Sequence, residues 1–171
     1  MVKLFQGTPA VCKFKNIAIV VARFNSEITS ALTDGAIHTL KEAGVADDNI
    51  HVYHVPGALE IPLMCEIVVE QHDAVIALGC VIQGDTPHFD YVCNEASRGI
   101  LDVSLRHRKP VMMGVLTCAT YAQAQHRSSR SAFNTSEDAI VNGEKATPEC
   151  NKGCECARAA LEMISLIDQS K

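Results

Sequence analysis

The sequence predicts an α/β fold built on a four-stranded parallel sheet with helices on both faces. Three observations predict it. Short apolar runs rich in β-branched residues begin at Ile17, Ile50, Ala74 and Val111, and read as strands. Each is followed by a segment with apolar residues at helical spacing, and such alternation forces parallel strands joined by helical crossovers. The residues that break the apolar pattern fall where a strand gives way to its helix: Arg23-Phe24-Asn25, Pro56 to Glu60, Gln83 to His88, and Thr117 to Thr120. In a parallel sheet these four points share the carboxyl edge, where ligands bind.

Taken in order, residues 1–13 lack a period and read as an N-terminal arm, suited to pair with a neighbouring chain's sheet edge. Ile17 to Val21 is uninterruptedly apolar, as a strand covered on both faces should be. Asn25 or Ser26 can cap the helix that follows, with Glu27 in its first turn. Ile28, Leu32, Ala36, Leu40 and Ala43 form its apolar stripe, and Gly44 stops it. Ile50 to Val55 is the second strand; Pro56-Gly57 breaks it, and Ala58 to Pro62 opens a second helix with proline in its tolerant first turn.

The third strand starts at Ala74, passes Gly79 and Cys80, and turns at Gly84-Asp85-Thr86-Pro87. A long helix then runs from His88 to about His107, with Phe89, Val92, Ala96, Ile100 and Val103 on one face. Arg106, Arg108 and Lys109 at its far end complement the helix dipole without implying a function. Val111 to Leu116 is the fourth strand, leaving through Thr117 to Thr120 into a helix from about Tyr121. Residues 128–150 are polar and non-periodic and read as an inserted loop. A last helix carries Ala157, Ala160, Leu161, Ile164 and Ile167 on one face. The whole, residues 1–171, is read as a single domain.

Composition narrows the partners. A net charge of −5 with no basic stripe argues against nucleic acid. The longest apolar run is too short to cross a bilayer, so no membrane partner is expected. The N-terminal residues have no continuous apolar region of the secretory kind, which points to the cytoplasm. Eight cysteines then read mainly as small hydrophobes rather than a disulfide framework. Cys150, Cys154 and Cys156 are the only cluster, and their spacing does not suit a metal pair, so no metal is expected.

The stretch from Ala77 to Val92 carries the chemistry. A glycine-punctuated loop enters a helix N-terminus, whose unpaired N–H groups and partial positive charge suit a phosphate. Gly79 and Gly84 have phosphate-loop spacing, but Asp85 stands where that loop needs lysine, which excludes an NTPase. No GxGxxG follows Ile17 to Val21, which disfavours a dinucleotide fold. Among seven histidines, His88 alone sits at a strand-to-helix junction on the ligand edge. It is either a structural histidine or a proton carrier near neutral pH. Phe24 is either a core cap or an aromatic platform for a planar ring. Glu60 either complements its helix dipole or accepts hydrogen bonds from a polyol. By position alone, Arg127 and Lys152 are exposed charges bracketing the long loop.

ARFN at 22–25, VPGALEIP at 55–62, ALGCVIQGDTPHFDYV at 77–92, PVMMGVLT at 110–117, QAQHR at 123–127 and NKGCECA at 151–157 together resemble the motif series of the 6,7-dimethyl-8-ribityllumazine synthase family. The resemblance implies a flavodoxin-like three-layer sandwich. It implies condensation of 5-amino-6-(D-ribitylamino)uracil with 3,4-dihydroxy-2-butanone 4-phosphate, releasing phosphate and water, as the penultimate step of riboflavin biosynthesis. Carried over residue by residue, Phe24 stacks on the pyrimidine, Ala58 and Glu60 hold the ribityl chain, and Val81 and Ile82 line the ring site. Gly84, Asp85 and Thr86 meet the butanone phosphate, with Arg127 as counter-charge and His88 as proton relay. Asn25, Leu59, Cys80 and Met113 join the substrate-binding set, and Lys152 and Glu155 match a block near the site. No metal or redox cofactor is implied, because amine-to-carbonyl condensation and β-elimination are proton chemistry.

Gln83 replaces a base common in the family, Asp85 adds a negative charge at the phosphate seat, and Met113 stands where an aromatic usually reaches into the neighbour's site. The 128–150 insertion implies a homo-oligomer that stops at a pentamer or pentamer pair, with active sites at subunit interfaces; riboflavin synthase is the protein partner the resemblance suggests. Two competing readings are a flavin- or lumazine-binding protein without turnover and a shell-forming protein of the same fold. Neither needs both a base at His88 and a cation at Arg127.

Overall fold

The computed structural model describes residues 2–9, 13–133, 140–141, 144–145 and 150–171. Its element order is β1 (Ile17–Ala22), α1 (Ser26–Glu42), β2 (Ile50–Val55), α2 (Ile61–Val68), β3 (Ala74–Ile82), α3 (His88–His107), β4 (Val111–Cys118), α4 (Tyr121–His126), β5 (Ile140–Val141), β6 (Glu144–Lys145) and α5 (Lys152–Gln169). The first four strands form one sheet in the order β2-β1-β3-β4. All pairings in it are parallel: Ile17 lies opposite Ile50 and Ala74, and Val75 lies opposite Val111.

The alternation of side chains along the central strands sorts the core into two layers. Ile17, Ile19 and Val21 of β1, with Ile76 and Leu78 of β3, face Leu32, Ala36 and Leu40 of α1 and Ala157, Ala160 and Leu161 of α5. Ala18, Val20, Val75 and Ala77 face the other way, against Ile61, Cys65 and Val68 of α2 and Ala96, Ile100 and Val103 of α3. Burying each isoleucine or leucine of this kind stabilises the fold by about 1.5–3 kcal/mol. That double burial is why β1 and β3 read as unbroken apolar runs. The three-layer parallel arrangement is the one the sequence predicts.

Strand ends run slightly further than the apolar runs. β1 includes Ala22 and β4 continues through Thr117 and Cys118, because the ladder is held by backbone groups whatever the side chain. Helix α1 ends at Glu42, and the chain turns away at Gly44, whose φ of 83° favours a residue without Cβ. The second helix opens with a 3-10 turn at Ala58–Glu60 before α2 begins at Ile61. Five cysteines (65, 80, 118, 154 and 156) are buried, and all seven in the described residues are free thiols.

Two parts of the chain show detail that their sequence reading did not include. The described part of the arm lies against its own α5: Thr8 N–H donates to Ser165 Oγ at 3.3 Å, and Gln169 Nε2 donates to the Gln6 carbonyl at 3.1 Å. The region expected to be a plain loop contains a 3-10 turn at Arg130–Ala132 and the antiparallel pair β5–β6. Asn142-Gly143, the dipeptide that two-residue hairpins favour, separates those strands in the sequence.

Candidate active site

The strand order reverses between β1 and β3, and the crevice outside their carboxyl ends is where this topology places ligands. A cavity of about 400 Å³ lies there, lined by Phe24 from the end of β1, Gly57 to Glu60 from the turn after β2, and Cys80 to Ile82 from β3. Gly84, Thr86, His88, Phe89 and Val92, from the loop and first turns of α3, close it.

Each wall is set by its local sequence. Arg23 and Phe24 extend the β1–β2 ladder past its last strand residues, with N–H groups donating to the carbonyls of Val55 (2.8 Å) and Pro56 (3.2 Å). Phe24 is thereby tied to the turn after β2 while the residue stays 71% exposed. Gly57 N–H donates to Glu60 Oε2 at 2.8 Å, so one carboxylate oxygen pins the turn. Glu60 thus has a structural contact and also lines the cavity.

His88 is the first residue of α3, follows Pro87, and is exposed. Its imidazole has no hydrogen-bond or ion-pair partner among the described residues. The first N–H groups of α3 are unpaired by the helix itself, as at any helix start. Cys80 is different in kind. Burial pushes its thiol up to about 12, so it is neutral near pH 7 and serves as an apolar wall rather than a nucleophile.

The cavity therefore gathers Phe24, Ala58, Leu59, Glu60, Cys80, Val81, Ile82, Gly84, Thr86 and His88 from the set named by sequence. It does not gather Asn25, Asp85, Met113, Arg127, Lys152 or Glu155. Asp85 is exposed and contributes nothing to the lining, although both of its neighbours do. Gln83 is likewise exposed; its N–H continues the ladder to the Cys118 carbonyl at 2.9 Å. Met113 lies on the edge strand β4, 39% exposed, opposite Ala77.

Asn25 occupies the N-cap position of α1, but its side chain does not cap. The backbone carbonyl of Asn25 accepts from Ile28 (3.0 Å) and Thr29 (3.1 Å), while its amide Nδ2 donates to the Cys80 carbonyl at 2.9 Å. The amide is drawn there because β3 ends beside it, a partner 55 residues away that no local pattern reveals.

Arg127, Lys152 and Glu155 form a second cluster beyond β4. Thr120 caps α4, with Gln123 N–H donating to its Oγ1 at 3.2 Å, and the short helix delivers Arg127 at its end. Arg127 Nη2 contacts Glu155 Oε1 at 3.0 Å, and Lys152 Nζ contacts Glu155 Oε2 at 2.7 Å. Two cations thus share one carboxylate. Arg127 borders a separate surface depression with Cys118, Ala122, Gln123 and His126. Arg130 is tied elsewhere, by Nε (3.0 Å) and Nη2 (2.7 Å) to Asp34 Oδ2.

Asn151 explains the start of α5. Fully buried, it accepts from the N–H groups of Gly153 (2.9 Å) and Cys154 (3.2 Å) and donates to the Ala31 carbonyl at 3.1 Å. A Cβ at Gly153 would collide with the Leu32 carbonyl, so glycine is what lets α5 press onto α1.

Sequence reasoning missed Gly57, Phe89 and Val92 as cavity residues. Phe89 and Val92 lie on the apolar face that the sequence predicts for α3. Their place in the first turns next to His88 was the available signal, since a helix face that starts at a site lines the site before it reaches the core.

Sheet order and cavity together define the class: a flavodoxin-like α/β protein with its small-molecule cleft at the strand-order reversal. The sequence matches the family model for 6,7-dimethyl-8-ribityllumazine synthase over residues 15–168. It is 44% identical over 173 positions to the 6,7-dimethyl-8-ribityllumazine synthase of Desulfatibacillum aliphaticivorans, covering 100% of both chains. The chain belongs to the 6,7-dimethyl-8-ribityllumazine synthase family, transferases of riboflavin biosynthesis.

Proposed function

We propose that the chain condenses 5-amino-6-(D-ribitylamino)uracil with 3,4-dihydroxy-2-butanone 4-phosphate in the cleft between Phe24 and His88, releasing 6,7-dimethyl-8-ribityllumazine, phosphate and water. The observation that carries the reading is what lines that single cleft: an exposed aromatic ring, a carboxylate with one free oxygen, an unpaired imidazole and a fresh helix N-terminus. Phe24 stacks on the pyrimidine, and Val81 and Ile82 form the ring's apolar wall. Glu60 and the Ala58–Leu59 backbone hold the ribityl hydroxyls.

The amine attacks the butanone carbonyl and water leaves as an imine forms. Phosphate is then eliminated, the enol left behind becomes a ketone, and the ribitylamino nitrogen attacks that ketone and closes the ring as a second water leaves. Each step moves a proton, and His88, the imidazole among the described residues lining the cleft, is the group we assign to carry it. Gly84 and Thr86 with the α3 amides seat the phosphate.

Among the described residues no lysine or arginine lines this cleft, and we take the phosphate's counter-charge from outside it. We assign it to Arg127 of a neighbouring copy, with Lys152 and Glu155 alongside, which makes each site a joint between two subunits. The outward faces of α2 and α3 support such packing: Leu63, Ile67, Leu101 and Leu105 are all more than half exposed. The assembly is a pentamer or a pair of pentamers of the 18.5 kDa chain; light scattering that found a monomer or a shell-sized particle would overturn this. The cytoplasm is the compartment in keeping with seven free thiols among the described residues. Riboflavin synthase, which takes the product, is a partner to test by co-purification.

The test is incubation with both substrates, following lumazine absorbance and fluorescence beside phosphate release. Equal rates of both products are expected. Lumazine binding without turnover would leave a binding protein in place of the enzyme.

A further inference from the structure

We infer that Asn25 is a positioning residue for the ring platform: it holds Phe24 at the rim of the cleft, through its backbone and its amide together, and does not itself bind substrate. The inference rests on the proposed role of Phe24 as the surface on which the pyrimidine stacks.

Three observations meet at this residue. Asn25 has φ 58° and ψ 49°, left-handed backbone that turns the chain sharply from β1 into α1. Its amide donates to the Cys80 carbonyl at 2.9 Å, and Cys80 opens the Cys80–Ile82 wall of the same cleft that Phe24 lines. Asn25 itself does not line the cleft, whereas Phe24 and Cys80 both do. Phe24 is therefore fixed on two sides, by its own N–H to the Pro56 carbonyl at 3.2 Å and by the Asn25 amide across to β3. The ring makes little use of the core to hold its place, being 71% exposed, so these two polar ties set where it sits.

The residue type follows from the two demands. Glycine adopts left-handed backbone freely but carries no amide. Aspartate tolerates that backbone but offers only oxygens toward the carbonyl once ionised. Alanine meets neither demand. Asparagine satisfies both, and its use here is unlike a helix cap, since no N–H of α1 reaches its side chain.

Asn25→Gly and Asn25→Asp both keep the backbone turn and remove the tie, so the test does not depend on one variant folding. For each, KM of both substrates, kcat, the Kd for lumazine by fluorescence titration and Tm are measured, beside Phe24→Ala and the Phe24→Ala/Asn25→Gly pair. Expected is a rise of about tenfold in KM for the pyrimidine and in the lumazine Kd, the size of one lost hydrogen bond. The KM for the butanone phosphate and kcat stay unchanged. In the double variant, loss of the amide adds nothing to loss of the ring. The inference is overturned if the single variants bind as the native protein does while only Tm falls. It also fails if both KM values rise together, or if the two substitutions multiply. Failure of the enzyme reading is a separate result: the native chain would form no lumazine, and the Kd series would still decide the role of Asn25.

Discussion

The two edges of the central sheet carry the same kinds of residue and use them in opposite ways. At the amino edge, polar side chains are spent on the fold. Lys109 Nζ donates to three carbonyls, those of Val69 (3.0 Å), Glu70 (2.9 Å) and His72 (2.8 Å). His72 is buried with both ring nitrogens engaged, one by the Val68 carbonyl at 2.7 Å and one by His51 at 2.9 Å. Lys15 bridges Asp73 (3.4 Å) and Asp168 (3.0 Å), and His107 lies 3.0 Å from Glu66. At the carboxyl edge His88 is exposed and unpartnered, although it belongs to the same helix as His107. These two histidines of one helix differ because His107 has a carboxylate beside it and His88 has no partner among the described residues.

The sharpest way to break this contrast is to remove one histidine from each end of α3. His88→Ala is expected to lower kcat by about 10- to 1000-fold with lumazine binding nearly intact. His107→Ala is expected to leave kcat alone and lower the urea midpoint. Equal kinetic effects would erase the distinction. Lys109→Met comes next: stripping three carbonyls of their donor should cost about 1–3 kcal/mol in urea unfolding, with turnover per folded chain unchanged.

Arg127→Ala follows. It should raise KM for the butanone phosphate by about tenfold and leave the pyrimidine KM alone, and a matched rise in both would detach Arg127 from the phosphate. The smallest effect is on pH. Burial pulls the His72 pKa below its ordinary 6.5, helped by His51 and Lys109, against the Val68 carbonyl and Asp73. The unfolded chain then takes up its proton first as pH falls, so this contribution is whole above about pH 6.5 and is lost below it. His72→Gln should flatten the dependence of Tm on pH between 7 and 5; an unaltered slope would mean another group sets it.

The fold was legible because β1 and β3 are apolar on both faces and the helices between them are striped on one. The cleft was legible from Gly84 to His88, where a strand, a turn and a helix start meet within a few residues. What stayed hidden depends on partners distant in sequence. The amide of Asn25 turns to Cys80, Arg127 and Lys152 converge on Glu155, and Asp85 stays out of the cavity lining while both its neighbours join it. None of these follows from spacing, since each is decided by which strand end or helix lies alongside.

The clasp beneath the inserted segment has a practical consequence. Ser129 N–H donates to the Cys150 carbonyl at 3.2 Å and Lys152 N–H to the Arg127 carbonyl at 2.8 Å, while Ser128 and Asn151 form a bridge. The stem is already stapled shut, so foreign peptides spliced between Phe133 and Cys150 would pay only the slow logarithmic toll of a longer loop, about 0.6 kcal/mol per doubling. Arg127 and Lys152 would stay anchored at the stem in such a graft.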